Sequence, residues 1–266
     1  MDTYRTLIVD AFTTEPLAGN PAGVVPDAAG LSDQQMQQIA RELNASETAF
    51  VLPSEEADRR VRYFSPTQEV DLCGHATIAA HGFLFDDGRI DAGSHTVETE
   101  VGVLDIEVVE SGAVWMTQNS PTVRQVELDY QRAGEALGID AEAFRDVGAD
   151  MPPAYASTGL PFLILPVNFL EHLSGMDPDM AAVESLAEAH DTAGIYVFTF
   201  DAIGRGTAQD TTLHARTFVP GLGIDEDPVT GTASGAAGAY LDRFAAFDGE
   251  FPDRMTFEQG HFLDRP

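Results

Sequence analysis

The sequence predicts an α+β protein built from two related halves. Strand-like and helix-like segments mix along the 266 residues without strict strand–helix alternation, which disfavours a doubly wound sheet. The chain also repeats itself once. Tyr63-Phe64-Ser65-Pro66, acids at Glu69 and Asp71, and Gly74-His75-Ala76-Thr77 opening a small-residue helix return as Thr217-Phe218-Val219-Pro220, acids at Asp225, Glu226 and Asp227, and Gly231-Thr232-Ala233-Ser234. GHATIAAHGFL and GTASGAAGAYL align without a gap at an offset of 157 residues, far too long a period for a solenoid. The expected halves are 1–117 and 118–266, with a crossover at Asn119-Ser120-Pro121.

Residues 5–12 (RTLIVDAF) read as a strand, and Gly19–Val25 (GNPAGVV) as a Gly/Pro loop. Residues 32–43 read as a helix: Ser32 caps it, Gln35 completes the capping box, and Met36, Ile39, Ala40 and Leu43 fall on one face. Residues 48–52 and 61–64 are strand-like, 75–85 helical, and 96–109 and 113–117 alternate as strands do. In the second half, 130–137, 140–145, 178–189 and 232–245 suggest helices, and 161–167, 194–200 and 213–219 suggest strands. Each half thus holds a strand, an acidic loop and a glycine at a helix start. Exposed N–H groups at such a start bind anions, so two small-residue helices packed together would aim both N-termini at one cleft that fits a small carboxylate. Close helix packing alone would select the same small residues.

Charge and composition exclude several functions. The chain has 44 acids against 14 bases, a net charge of −30, and every base is Arg. Such a surface repels nucleic acid and anionic membranes. Acid excess without Lys is the pattern of a salt-adapted protein from a halophile. Without Lys there is no Schiff base and no Walker A loop. Cys73 is the lone cysteine, which excludes intramolecular disulfides and thiolate zinc clusters and suits a reducing, cytoplasmic setting. The apolar runs are too short to span a bilayer, the first residues do not read as a signal peptide, and the seven histidines show no metal spacing.

Six motifs, in order along the chain, carry a resemblance: Val9-Asp10-Ala11-Phe12-Thr13 with Gly19-Asn20-Pro21-Ala22-Gly23-Val24; Ser46-Glu47-Thr48-Ala49-Phe50; Cys73-Gly74-His75-Ala76-Thr77; Asp225-Glu226-Asp227-Pro228-Val229-Thr230-Gly231; and Glu258-Gln259-Gly260. The chain resembles the PhzF-like phenazine-biosynthesis proteins, which share the diaminopimelate epimerase fold. The resemblance implies two pseudo-symmetric halves, each a mostly antiparallel sheet wrapped round a central helix, with the site in the cleft between them. It implies a cofactor-free, metal-free isomerase that moves a proton on a small carboxylic acid, often as a homodimer. By position, Glu47 matches the family's acid/base, with His75 and Asp227 as its catalytic partners. Asn20, Ser46, Gly74, Gly231 and Thr232 match substrate-binding positions. Members continue past Gln-Gly-x-x-x-x-Arg-Pro with another strand, whereas this sequence stops at Pro266.

Moving a proton between carbons needs a group that both takes and gives it, and a partly desolvated carboxylate serves. Glu47 stands between the polar turn Asn44-Ala45-Ser46 and the apolar strand TAFVL, where desolvation is expected. His75 and Asp227, at equivalent places in the two halves, are expected to orient substrate and relay protons. Cys73 matches one thiol of the related two-thiol racemases and epimerases, but the second would fall near Thr230 or Thr232. Thiol–thiol epimerisation is therefore unavailable, and Cys73 is expected to be a relic or a packing residue. Two alternatives stay open: an amino-acid racemase or epimerase with an unusual base pair, and a non-catalytic metabolite-binding protein of the same fold.

The charge yields a first prediction. Self-repulsion destabilises the folded chain at low ionic strength, and the Debye length falls to ~3 Å at 1 M salt. The thermal unfolding midpoint should therefore rise by several degrees from dilute buffer to molar KCl. A midpoint insensitive to KCl would show that the acids are already compensated in the fold.

Overall fold

A computed structural model describes residues 3–147, 150–206, 210–247 and 250–266. The chain divides into two compact units, one ending at Thr117 and the other beginning at Gln118. In the first, β1 (Leu7–Ala11), β2 (Asn20–Val25), α1 (Asp33–Leu43), β3 (Thr48–Leu52), β4 (Arg59–Phe64) and β5 (Glu69–Val70) precede α2 (Gly74–Asp86), and β6 (Gly93–Thr99), β7 (Gly102–Val108) and β8 (Val114–Met116) follow. The sheet order is β1-β2-β3-β4-β6-β7-β8, with β5 beside β4. The β2–β3 and β4–β6 pairs are parallel and the others antiparallel.

Helix α2 touches β1, β2, β3, β7 and β8, so the sheet curls round it. Its sequence explains the burial: Ala76, Thr77, Ala79, Ala80, His81 and Leu84 are all buried, and a helix that is apolar on all sides belongs in a core. The alanines let the strands approach closely. Thr77 pins the helix to the sheet. Its hydroxyl donates to the Cys73 carbonyl at 2.7 Å and so accepts from the Tyr63 hydroxyl at 2.7 Å. Helix α1 starts as expected, with Ser32 and Gln35 capping each other reciprocally and Met36 and Ala40 buried.

The Gly/Pro segment expected as a loop is strand β2. Gly19 makes the turn into it at φ 57°, where a Cβ would overlap the Ala11 carbonyl. Gly23 lies so close to Thr48 that a side chain there would push β2 off β3. Pro21 opposes Asp10 of β1, before the pairing with β3 begins at Gly23, so no ladder bond to β3 is lost. Residues that usually break strands here allow two strands to sit unusually close.

The second unit contains β9 (Thr122–Gln125), α3 (Tyr130–Leu137), β10 (Ala154–Ser157), β11 (Pro161–Pro166), α4 (Leu170–Ser174), α5 (Met180–Glu188), β12 (Gly194–Thr199), β13 (Leu213–Val219), β14 (Ile224–Asp227), α6 (Gly231–Arg243) and β15 (Phe257–Glu258). Its sheet runs β14-β13-β12-β11-β10-β9, with β15 beside β13. Leu163, Leu165, Ile195, Val197 and Phe218 pack with α3 and α5, while Phe162, Ile164, Tyr196, Phe198 and Ala215 pack with α6. A sheet covered on both faces explains why PFLILP and GIYVFT read as unbroken apolar runs.

The repeat seen in the sequence is a repeat of topology. Strands β1-β2-β3-β4-β6 pair antiparallel, parallel, antiparallel and parallel, and β10-β11-β12-β13-β15 pair in the same succession. Helices α2 and α6 follow the equivalent strands β4 and β13. Two local expectations need correction. The 140–145 helix is a single 3-10 turn over Ala141–Phe144, capped by Asp140; the Ala143 carbonyl is taken by the Asn168 N–H, and the chain turns extended at Arg145. The acidic loop of the second half is strand β14, in which Glu226 receives both arms of the buried Arg216 at 2.8 and 2.7 Å. Arg216 also donates to the Leu173 and Met176 carbonyls, so this acid belongs to a core ion pair.

His81 yields the next prediction. It is fully buried, Nδ1 donates to the Thr77 carbonyl at 2.8 Å, and burial pushes its pKa from 6.5 down to about 4. The unfolded chain therefore binds a proton that the folded chain refuses between those values, and stability falls as pH drops through that window. One pKa shift of this kind is worth about 1–3 kcal/mol at its acid end. In His81→Asn the loss of unfolding free energy between about pH 7 and pH 4 should shrink by roughly that amount. An unchanged difference would show that His81 is not the group responsible.

Candidate active site

The first unit gathers Ser46, Glu47, Gly74 and His75. Asn44 ends α1 in the left-handed region at φ 53°, and the chain then turns through Ala45-Ser46. The Glu47 carbonyl accepts the Gly23 N–H at 2.9 Å, which fixes Glu47 at the head of β3. Gly74 and His75 form the first turn of α2, held by the Thr77 hydroxyl bridge. The His75 Nε2 lies 3.3 Å from the Ser46 hydroxyl and 3.7 Å from Glu47 Oε2. On the other side of the ring, Nδ1 lies 3.3 Å from the Cys73 Sγ. The side chains of His75 and Glu47 are 12% and 20% accessible, so both are largely desolvated yet reachable. Asn20 is buried at the start of β2, opposite Ala11.

Burial lowers the His75 pKa below the ordinary histidine value, and the Glu47 carboxylate opposes this only in part. The imidazole is therefore neutral near neutral pH and carries one N–H. The tautomer with Nε2–H toward the Ser46 hydroxyl faces the Glu47 carboxylate with a donor and leaves Nδ1 to accept the thiol proton. Cys73, expected as a relic or a packing residue, touches the ring of a candidate catalytic histidine. Among the described residues, the donor atoms of Glu47, Cys73 and His75 form one convergent group within 4.8 Å of one another.

The second unit holds Asp227, Gly231 and Thr232. Asp227 ends β14, and its Oδ2 accepts the Thr230 hydroxyl. Gln259 clamps this turn: its Nε2 donates to the Asp227 carbonyl at 2.6 Å, and its Oε1 accepts the Thr230 N–H at 3.3 Å. At the start of α6 the Gly231 carbonyl accepts Gln118 Nε2 at 3.0 Å. The Thr158 hydroxyl bonds to Gln118 Oε1 and lies 3.2 Å from the Thr232 carbonyl. No motif marks Gln118 or Thr158, which lie 113 and 74 residues from these partners. The Glu258-Gln259-Gly260 motif proves structural in all three members. Glu258 accepts the Ile203 and Gly204 N–H groups and binds the buried His214 at 2.9 Å, Gln259 holds the Asp227 turn, and Gly260 adopts φ 86° against the Arg265 and Pro228 carbonyls.

With this geometry in place, comparison with known proteins is informative. Residues 9–266 match the family described as phenazine biosynthesis-like protein, PhzC-PhzF. The Bacillus subtilis protein designated uncharacterized isomerase YfhB is 37% identical over 270 residues, covering 100% of this chain and 89% of the relative. The trans-2,3-dihydro-3-hydroxyanthranilate isomerase of Pseudomonas chlororaphis is 33% identical over 274 residues, covering 99% of this chain and 88% of the relative. A crystal structure of the Bacillus anthracis phenazine biosynthesis protein of the PhzF family superposes with a TM-score of 0.87 at 34% identity, over 100% of this chain and 88% of that one. The chain belongs to the PhzC/PhzF phenazine biosynthesis-like family.

Proposed function

We propose that the protein is an isomerase that moves a proton on a small carboxylic acid, with Glu47 as the group that takes and returns it. The observation that carries this reading is the partly desolvated Glu47 carboxylate 3.7 Å from a buried imidazole. The names of the Bacillus subtilis and Pseudomonas chlororaphis relatives, both isomerases, support it.

The chemistry follows from the pair. A charged histidine would hold Glu47 in an ion pair and weaken it as a base. A neutral imidazole, with Nε2 3.3 Å from the Ser46 hydroxyl and 3.7 Å from Glu47, leaves the carboxylate basic. When Glu47 has taken the substrate's proton, it can return that proton at a conjugated position. Asp227 assists with substrate orientation and proton relay. The Asn20 amide, the Ser46 hydroxyl and the N–H groups at Gly74 and at Gly231-Thr232 bind the substrate's polar groups, as helix starts suit a carboxylate.

Proton exchange from deuterated solvent, followed by NMR in molar KCl, tests this on a panel of dihydro-hydroxyanthranilate, amino acids and small enolisable acids. Glu47→Gln should lower carbon exchange by about 10²–10⁴-fold. Full exchange in that variant would end the Glu47 assignment. Asp227→Asn should also slow exchange while leaving the fold intact, and unchanged turnover would remove Asp227 from the mechanism. The pH profile gives an independent check. Because burial lowers the His75 pKa below 6.5, the acid limb of kcat/KM that disappears in His75→Asn should lie below that value. A limb above it would show that the His75 pKa is not lowered in the enzyme.

A further inference from the structure

We infer that Glu47, Cys73 and His75 form a site for a soft divalent transition-metal ion, Zn2+ in character, whose occupancy blocks the acid/base. All three ligands come from the first unit, within the turn before β3 and the first turn of α2. One sulfur, one imidazole nitrogen and one carboxylate oxygen are the donor types zinc selects, and three protein ligands with one position left open is the pattern of accessible zinc sites.

The spacing is close to what a metal needs. Tetrahedral zinc, with Zn–S about 2.3 Å and Zn–N about 2.0–2.1 Å, holds its donors ~3.5 Å apart. Cys73 Sγ and His75 Nδ1 already lie 3.3 Å apart. One ligand atom from each of Glu47, Cys73 and His75 lies within 4.8 Å of the others, so the donors must close by about an ångström to bind one ion. Binding releases the Cys73 thiol proton to solvent and turns the sulfur into a thiolate ligand. The Ser46 hydroxyl, 3.3 Å from Nε2, is placed to orient the ring from outside.

The acidic surface makes selectivity the decisive question. With a net charge of −30 the chain attracts every divalent cation. Mg2+ and Ca2+ take oxygen ligands and have no use for sulfur or imidazole. Only a soft ion gains from this trio. The equivalent helix start in the second unit offers Thr230 and Thr232 where the first offers Cys73 and His75, and so lacks such donors. The cation site rests on these three side chains alone, whereas its inhibitory effect rests on the acid/base reading of Glu47.

Cobalt tests the site without reference to turnover. Titration of the whole chain with Co2+ in molar KCl and excess Mg2+ should give one saturable site with a thiolate-to-cobalt charge-transfer band. Cys73→Ser should abolish the band, and His75→Ala should weaken binding by about 100-fold or more. Since Cys73 is the lone cysteine, mass spectrometry after alkylation gives a second readout on the unaltered protein. Zn2+ should slow modification of Cys73 and Mg2+ should not. Absence of the band, a band that survives in Cys73→Ser, or equal protection by both ions would overturn the site. If the band forms but Zn2+ leaves proton exchange untouched, the site stands and its inhibitory role fails. If no proton exchange is found while the band forms, the isomerase reading fails and the site again stands.

Discussion

The geometry of the first unit depends on one hydroxyl. Thr77 sits where α2 meets the sheet, and its oxygen joins the Tyr63 hydroxyl of β4 to the Cys73 carbonyl at the mouth of the helix. Tyr63 is 1% exposed and Thr77 fully buried, so each needs the other. Loss of the bridge would leave the buried Tyr63 hydroxyl unpaired and the Cys73 carbonyl with only the Thr77 N–H, loosening the first turn of α2 against the sheet. That turn carries His75, whose ring must meet Glu47 and Ser46 on one side and Cys73 on the other. The arrangement of proton-carrying groups is thus set by a contact that includes none of them except the Cys73 carbonyl.

Small residues supply the other constraint. Where a helix is ringed by strands, alanines such as Ala76, Ala79 and Ala80 at the contact let the backbones approach. Gly23 does the same between β2 and β3, and this brings the Glu47 carbonyl within reach of the Gly23 N–H. Glu47 is therefore placed by backbone, with its carboxylate left free of structural duty.

Legibility in the sequence followed the range of the interactions. Helix α1 could be read in full because its signals are local: Ser32 and Gln35 cap it and Met36 and Ala40 mark its face. The repeat was readable because Gly74 and Gly231 open helices of like composition. Strand β2 was not, since Gly19, Pro21 and Gly23 signal a loop unless the close neighbours Ala11 and Thr48 are known. Glu226 reads as one more surface acid because its partner Arg216 sits in another strand and donates to the carbonyls of Leu173 and Met176 at a distant helix end. Ser46, Glu47 and His75 stand in motifs, and the structure brings them together in the first unit, but no motif shows that Cys73 joins them. Only the fold shows which ring nitrogen its sulfur meets. Gln118 and Thr158 were invisible because a single polar side chain that reaches across a unit leaves no pattern around itself.

The two helix starts show how a duplicated frame can be specialised. Both units supply a strand, a turn, a glycine and a buried helix in the same order. In the first, the positions flanking the glycine are Cys73 and His75, a thiol and an imidazole 3.3 Å apart. In the second they are Thr230 and Thr232, and the Thr230 hydroxyl is committed to Asp227. Gln259 and Gln118 then lock the backbone on either side of Gly231. A hydroxyl held by an amide is a fixed dipole, whereas an imidazole between a carboxylate and a thiol can rearrange its protons. Proton mobility is concentrated at one helix start and rigidity at the other. The duplicated frame thus carries a thiol and an imidazole at one helix start and a locked hydroxyl at the other.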